Sequence, residues 1–338
     1  MRPLAQSRAD QRRFVDRDEE ARSLTEAVKA EQPVLVLGDR GSGRTSLLNH
    51  VAWVLAHDRA QPHDSVLISG GIANDPARLL GVLVARVGRL VVPSSSRTQW
   101  LEDLRALSMP DGPFGTVVQP AILMELIDLL GERLTELERP VCLMIDEAVP
   151  SVAHGVFGTL RNELWMLPEV SWILTGESAS GPLYLEPPAD AFFAHTVILA
   201  PLTDTDARRI LHAHIPDLQA PDVDAAVAFG QGNPRRLLSA AADIQAGVPP
   251  RKGPTRELVE NAISLAGPLA GRLVEYLSEH GAASASDESM LRQLGASRQR
   301  ASQLMHQLHS AELLQTLEQA SEGRPGRPAL RFKIKAPT

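Results

Sequence analysis

The sequence predicts an α/β core on a mostly parallel sheet, then a helical lid, then a separate small α+β domain. Three observations point there. Short apolar runs alternate with helix-length stretches from about residue 14 to residue 200, the pattern of a three-layer α/β sheet. One of these runs, Val34 to Leu37, ends in Gly38-Asp-Arg-Gly-Ser-Gly-Arg-Thr45 and leads into a helix-forming stretch. After Pro201 the strand-like runs stop and helices take over. A Pro- and Gly-rich linker, residues 248–256, then precedes a last segment of different charge.

Composition sets the bounds. A chain of 338 residues has room for two domains, and 43% hydrophobic with 22% charged residues is an ordinary globular balance. Aromatics are only 4%, so aliphatic side chains must fill the core. Cys142, the sole cysteine, has no intrachain disulfide partner, which points to a reducing, cytoplasmic setting. No apolar run reaches transmembrane length, so no membrane partner is expected. The opening residues 1–13 lack the apolar centre of a signal peptide and read as a flexible basic tail. The net charge of −7 hides an asymmetry: from Arg251 onward 12 basic residues face 9 acidic ones, whereas the rest carries 22 against 32. A basic segment on an acidic body most often meets nucleic acid.

The elements follow in order. Phe14-Val-Asp-Arg-Asp-Glu-Glu20 opens a helix reaching about Lys29, with Leu24, Ala27 and Val28 on its apolar face. The glycine-loop strand precedes a helix from Thr45 to about Ala56. Val66 to Ile68 is a second strand, and Pro76 to Val92 a helix. Pro93 to Pro120 is rich in Pro, Gly and Ser and reads as a surface insertion with a helical patch near Trp100 to Leu107. Ile122 to Leu137 is helical, Val141 to Ile145 a buried strand, and Val152 to Met166 a helix. Strands Trp172 to Thr175 and Thr196 to Leu199 complete a core over 14–200. Helices opening at Thr203, Asp222 and Pro234 make the lid, 201–247, and the last domain spans 257–338.

The glycine loop carries the clearest chemistry. The pattern G-x-x-x-x-G-K-[ST] is met at Gly38, Gly43 and Thr45, except that Arg44 replaces lysine. Backbone N–H groups of Asp39, Arg40, Gly41, Ser42, Gly43, Arg44, Thr45 and Ser46 are the expected phosphate cradle, helped by the positive end of the following helix. The Thr45 hydroxyl is placed to hold Mg²⁺. Arginine keeps the positive charge but is a wide planar fork where lysine is a point charge, so binding is expected to survive better than turnover.

Val141-Cys-Leu-Met-Ile-Asp146-Glu147 is an apolar strand presenting two carboxylates at its C-terminal end, the ligand-binding edge of a parallel sheet. Asp146 is expected to hold Mg²⁺, directly or through water, and Glu147 to polarise an attacking water. Thr175, ending the strand Trp172 to Thr175, either touches the terminal phosphate or the water, or simply satisfies backbone groups. In Gly230-Gln-Gly-Asn-Pro-Arg235-Arg236 two cations occupy the first turn of a helix, where the dipole disfavours them. A phosphate opposite would remove that conflict, which makes Arg235 a candidate nucleotide sensor.

Taken in order, FVDRDEE, GDRGSGRTSLL, VCLMIDE, SWILTGE and GNPRRL resemble the AAA+ ATPases, in particular the branch with origin-recognition initiators and STAND signalling NTPases. The resemblance spans roughly Phe14 to Ala246. It implies ATP with Mg²⁺ as cofactors, Thr175 as sensor 1, Arg235 as sensor 2, the FVDRDEE box near the adenine, and assembly with itself or another AAA+ protein. Two departures stand out. Arg44 replaces the lysine, and Phe192-Phe193-Ala194-His195 offers no arginine where the family's trans-acting finger usually lies; Arg161 is a weak substitute.

The last domain resembles a winged helix. Leu269 to His280, Ser286 to Leu294 and Ser297 to Leu308 read as helices, the last with Leu304, Met305 and Leu308 inward, and Leu313 to Leu317 and Leu330 to Ile334 as two strands. That places Arg298, Gln299, Arg300 and Gln303 toward a double-stranded DNA groove, with Arg324 and Arg327 on the wing. The chain is thus expected to be a nucleotide-controlled switch with slow ATP hydrolysis, coupled to DNA binding and self-assembly. The alternatives are a STAND-like signalling or defence scaffold whose winged helix docks proteins, and a nucleotide sensor that does not hydrolyse.

Overall fold

The computed structural model describes residues 2–73, 75–93, 95–108, 120–248, 256–317 and 330–335. The chain divides into two compact units, Met1–Ser239 and Ala240–Thr338.

The first unit opens with α1 (Arg8–Gln11) and α2 (Asp18–Lys29), followed by β1 (Val34–Gly38) and α3 (Arg44–Ala56). Then come β2 (Asp64–Ser69), α4 (Pro76–Val91), α5 (Arg97–Ser108), α6 (Pro120–Thr135) and β3 (Val141–Asp146). After α7 (Pro150–Ala153) and α8 (Arg161–Trp165) come β4 (Val170–Glu177), α9 (Gly181–Tyr184) and β5 (His195–Leu199), and then α10 (Asp204–His214), α11 (Ala220–Gly230) and α12 (Pro234–Gln245). The unit boundary falls inside α12.

The five strands form one parallel sheet in the order β2-β3-β4-β1-β5. β1 and β3 are buried along their whole length, which is why they read as unbroken apolar runs rather than alternating ones. One face of the sheet packs on α4, α6 and the α7–α8 region, through Leu80, Leu83, Leu126, Leu130 and Phe157. The other face packs on α2 and α3, through Leu24, Val28, Leu47, Val51 and Leu55. This is the parallel-sheet P-loop NTPase fold that the sequence pattern predicted.

Three expectations change. Residues 2–13, read as a flexible tail from their polarity, pack along α3: Leu4 N donates to Ser46 Oγ at 3.1 Å and Gln11 pairs with His50 at 2.7 Å. The helix expected over 152–166 is interrupted by a wide π turn at His154–Gly158. There, a Cβ on Gly155 would sit 2.7 Å from Pro76, so the close approach to α4 requires glycine at that position. Part of the 93–120 insertion is also docked, since Trp100 covers Gly88 and Leu104 is buried.

The second unit contains α13 (Arg256–Ala266), α14 (Pro268–His280), β6 (Ala283–Ser284), α15 (Glu288–Leu294), α16 (Arg298–Ser310), β7 (Leu314–Leu317) and β8 (Arg331–Ile334). Its sheet is antiparallel in the order β6-β8-β7. Leu273, Leu277, Met290, Leu304, Leu308 and Phe332 form its core. α13 and β6 have no counterpart in the sequence reading. β6 is two residues long and carries no period to detect, and α13 follows directly on the linker.

Candidate functional site

β4 lies between β1 and β3, so the glycine loop and the acidic pair leave the sheet about 10 Å apart, two strand spacings. Side chains close that gap. The Thr45 hydroxyl donates to Asp146 Oδ2 at 2.6 Å, and the Thr175 hydroxyl donates to Asp146 Oδ1 at 2.7 Å. Thr175 Oγ1 in turn accepts the Glu147 N–H at 2.9 Å. Asp146 and Thr175 are buried, so these short bonds act in a low-dielectric setting where they hold geometry firmly.

The loop itself depends on two glycines. Gly41 has φ 84° and Gly43 has φ 99°, both in the left-handed region. A Cβ on Gly41 would also meet Asn233 Oδ1 at 2.8 Å and Arg235 Cβ at 2.9 Å. The first intrahelical bond of α3 runs from Leu47 N to Gly43 O, which leaves the N–H groups of Arg44, Thr45 and Ser46 ahead of it and free of helical partners. α12 meets the loop by its own N-terminus: Asn233 Nδ2 donates to Arg40 O at 2.9 Å, and Arg235 N to Gly41 O at 3.3 Å. Two helix N-termini therefore converge on one loop, an arrangement that favours an anion.

Arg44 is buried, with its side chain 4% exposed, and Nη2 lies 3.4 Å from Glu147 Oε1. Glu147 adopts φ 53°, a left-handed conformation that costs a non-glycine residue about 1 kcal/mol or more. Its N–H bond to Thr175 and the Ala148 N–H bond to Thr175 O, at 3.1 Å, fix that turn and direct the exposed carboxylate toward Arg44.

The residues present fit a nucleotide phosphate chain with a divalent cation. Arg44 Nη1 and Ser42 Oγ are buried without a hydrogen-bond partner. An unmet buried polar group costs about 1–3 kcal/mol, and phosphate oxygens would satisfy both. Thr45 and Asp146 are adjacent hard oxygen donors, the type that Mg²⁺ takes. Beside the loop lies a cavity of about 580 Å³, whose lining includes Arg40, Ser42, Arg44, Thr45, Glu147 and Arg235. The predicted loop residues, both carboxylates, Thr175 and Arg235 thus come together.

Several residues of this region escaped the sequence reading. Asn233 caps α12 by accepting from Arg236 N at 3.2 Å, and its amide also joins α12 to Arg40. The cavity lining also includes Leu4, Asp10, Arg13 and His214, which no motif marked, and Asp16 of the FVDRDEE box. Burial pushes Asp16 up to about 6, with Asp206 and Glu20 adding repulsion against the opposing pull of Arg17. Burial, with Arg13 nearby, lowers His214 below the usual imidazole range. Arg17 holds a left-handed backbone, bonds Glu20 and donates to Ala200 O.

The two arginine-finger positions have other occupations. Phe192 and Phe193 are buried in an aromatic cluster with Phe157, whose ring centroid lies 4.9 Å from that of Phe192. Arg161 Nη1 donates to Pro188 O at 3.0 Å. In the second unit, Arg298, Gln299, Arg300 and Gln303 are exposed on α16, while Ala301, Leu304, Met305 and Leu308 are buried. Ser297 caps that helix by accepting from Arg300 N at 3.3 Å. Arg324 and Arg327 lie outside the described residues.

The sheet order, the glycine loop and the Thr45–Asp146 contact together define the P-loop NTPase fold. Within that class the chain is similar in fold to the ORC1 protein of Aeropyrum pernix, solved in complex with DNA, at TM-score 0.52, 18% identity, and coverage of 94% of this chain and 88% of that one. It is likewise similar to the ORC2 protein of the same organism, solved in ADPNP-ADP complexes, at TM-score 0.51, 13% identity, and coverage of 94% and 89%. At these identities the likeness is one of fold. No protein-family model matches the sequence, and no curated protein matches it. Among the described residues no helix is long and apolar enough to cross a membrane.

Proposed function

We propose that this chain is an AAA+ ATP-binding switch with slow hydrolysis, coupled to DNA binding through a C-terminal winged helix and to self-assembly. The observation that carries the nucleotide reading is the bonded set Thr45–Asp146–Thr175–Glu147 facing a loop with two buried, unpartnered polar atoms. When bound, Mg·ATP supplies the phosphoanhydride and the metal's charge neutralisation. The loop amides, Ser42 and Arg44 hold phosphate oxygens, and Arg235 reads the phosphates from the lid. Thr45 and Asp146 hold the cation, and Glu147 orients water.

Slow turnover has a physical basis in this chain. Arg44 shares its guanidinium with Glu147, the residue that must orient water, and no arginine is free at either expected finger position. A scaffold that binds nucleotide without hydrolysing it is the second reading favoured by the same contact. Titration of a labelled ATP analogue, run beside a phosphate-release assay, separates the two. Binding without release leaves the sensor; absence of binding removes both.

DNA binding is supported by the order helix, helix, strand, helix, helix, strand, strand around a three-stranded antiparallel sheet, and by the exposed cationic turn of α16. A salt titration against duplex DNA tests it. Affinity should fall steeply with salt, and no binding at low salt would assign the domain to protein docking.

A further inference from the structure

We propose that residues 2–13 form a strap that retains nucleotide in the P-loop cavity, closed by the Arg2–Asp10 ion pair. This rests on the nucleotide reading above and assigns the control of nucleotide exit to a segment that no motif covers.

Five of these residues, Arg2, Pro3, Leu4, Asp10 and Arg13, line the cavity. The strap lies along the first turns of α3, the helix that carries Thr45. Leu4 N donates to Ser46 Oγ at 3.1 Å, Gln6 pairs with Asn49, and Gln11 pairs with His50 at 2.7 Å. Phe14 then stacks on His50 with ring centroids 3.9 Å apart. Ser46, Asn49 and His50 are spaced i, i+3 and i+4, so they present one face to the strap.

A clasp folds the strap back on itself. Arg2 reaches Asp10 with both terminal nitrogens, at 2.7 and 3.1 Å, and Ala5 N donates to Asp10 Oδ2 at 2.9 Å. The Asp10 side chain is only 3% exposed, whereas that of Arg2 is 66% exposed. Bidentate, charge-assisted bonds of this kind are the strong class, and these donors hold Asp10 down to about 2. A clasp with one buried and one open end keeps the segment in place and can release without unfolding the core.

The test uses the full chain and a fluorescent non-hydrolysable ATP analogue, chased with excess unlabelled ATP. Arg2→Ala and Asp10→Asn should each speed release about five- to tenfold, since changes in affinity appear mostly in the off-rate. The sign for Asp10→Asn is decisive. Asp10 lines an anion cavity, so neutralising it through charge alone would slow release; faster release requires the strap to have loosened. Release at the wild-type rate or slower overturns the strap and leaves the nucleotide site standing. A wild-type chain that binds no analogue overturns both. Arg2→Ala removes an exposed side chain, so loss of folding does not confuse the result. Trypsin gives a second readout, because Arg8, Arg12 and Arg13 are exposed on the strap. The analogue should slow cleavage there several-fold, and equal cleavage with and without it also overturns the strap.

Discussion

The phosphate end of the first unit and the outer face of α16 present their functional groups in opposite ways. Asp146 and Thr175 are buried and hydrogen-bonded to each other. Arg298, Gln299, Arg300 and Gln303 stand exposed on a helix turn that the Ser297 cap opens. The first arrangement suits charge that develops at one place during a reaction, because its dipoles are set in advance. The second suits a polyanion whose phosphates can be met by long, mobile side chains at little cost in geometry. On the proposed reading, chemistry and docking call for opposite degrees of burial within one chain.

Substitutions can break that contrast, and the largest effect belongs to the buried site. Glu147→Gln should lower phosphate release at least about 100-fold, the usual worth of a positioned acid–base group, while labelled ATP still binds. Unchanged release would remove Glu147 from the chemistry. On the exposed face, Arg298→Ala combined with Arg300→Ala should weaken duplex DNA binding about tenfold at low salt and reduce the salt slope by about 2. An unaltered slope would mean that these cations do not meet phosphates.

A smaller effect sharpens the role of the altered loop residue. Arg44→Lys replaces the fork with a point charge that no longer reaches Glu147 in the same way, and phosphate release should rise about threefold to tenfold. A fall instead would show that the guanidinium itself is required. The smallest effect concerns Asp16. Its folded-state value of about 6 lies above its ordinary 3.8, so the folded protein favours the protonated acid and ionised Asp16 costs stability at neutral pH. Asp16→Asn should therefore raise Tm by about 1–4 °C at pH 7.5, and the gain should shrink as pH falls through 6 and vanish near 4. Thermal scans across that range check the sign.

What could be read from the sequence follows the range of the interactions. β1, its glycine loop and α3 are contiguous, and β3 announces itself by burial followed by two acids, so both halves of the candidate site were visible. Thr175 remained ambiguous because its partners, Asp146 and Glu147, lie 29 and 28 residues away. Asn233 was hidden more deeply: its bond to Arg40 spans 193 residues, and its cap role already explained it. The strap was missed because Arg2–Gln11 is polar and lacks apolar period; it is placed by side-chain bonds to α3 rather than by a buried face. On α16, where the pattern and the cap are both local, the inward and outward residues fell as expected.

The Thr175 hydroxyl serves two masters with one oxygen atom. It donates to the carboxylate that would hold the cation and accepts the N–H of the residue that would orient water. Asp146 and Glu147 are therefore not independent positions, since both take their alignment from a single neighbour on β4. Serine at 175 keeps that oxygen. Valine has nearly the same volume and loses it, disturbing both acids in one step while leaving the glycine loop intact. On the proposed reading, a form that binds nucleotide without turning it over lies one side-chain oxygen away from this chain.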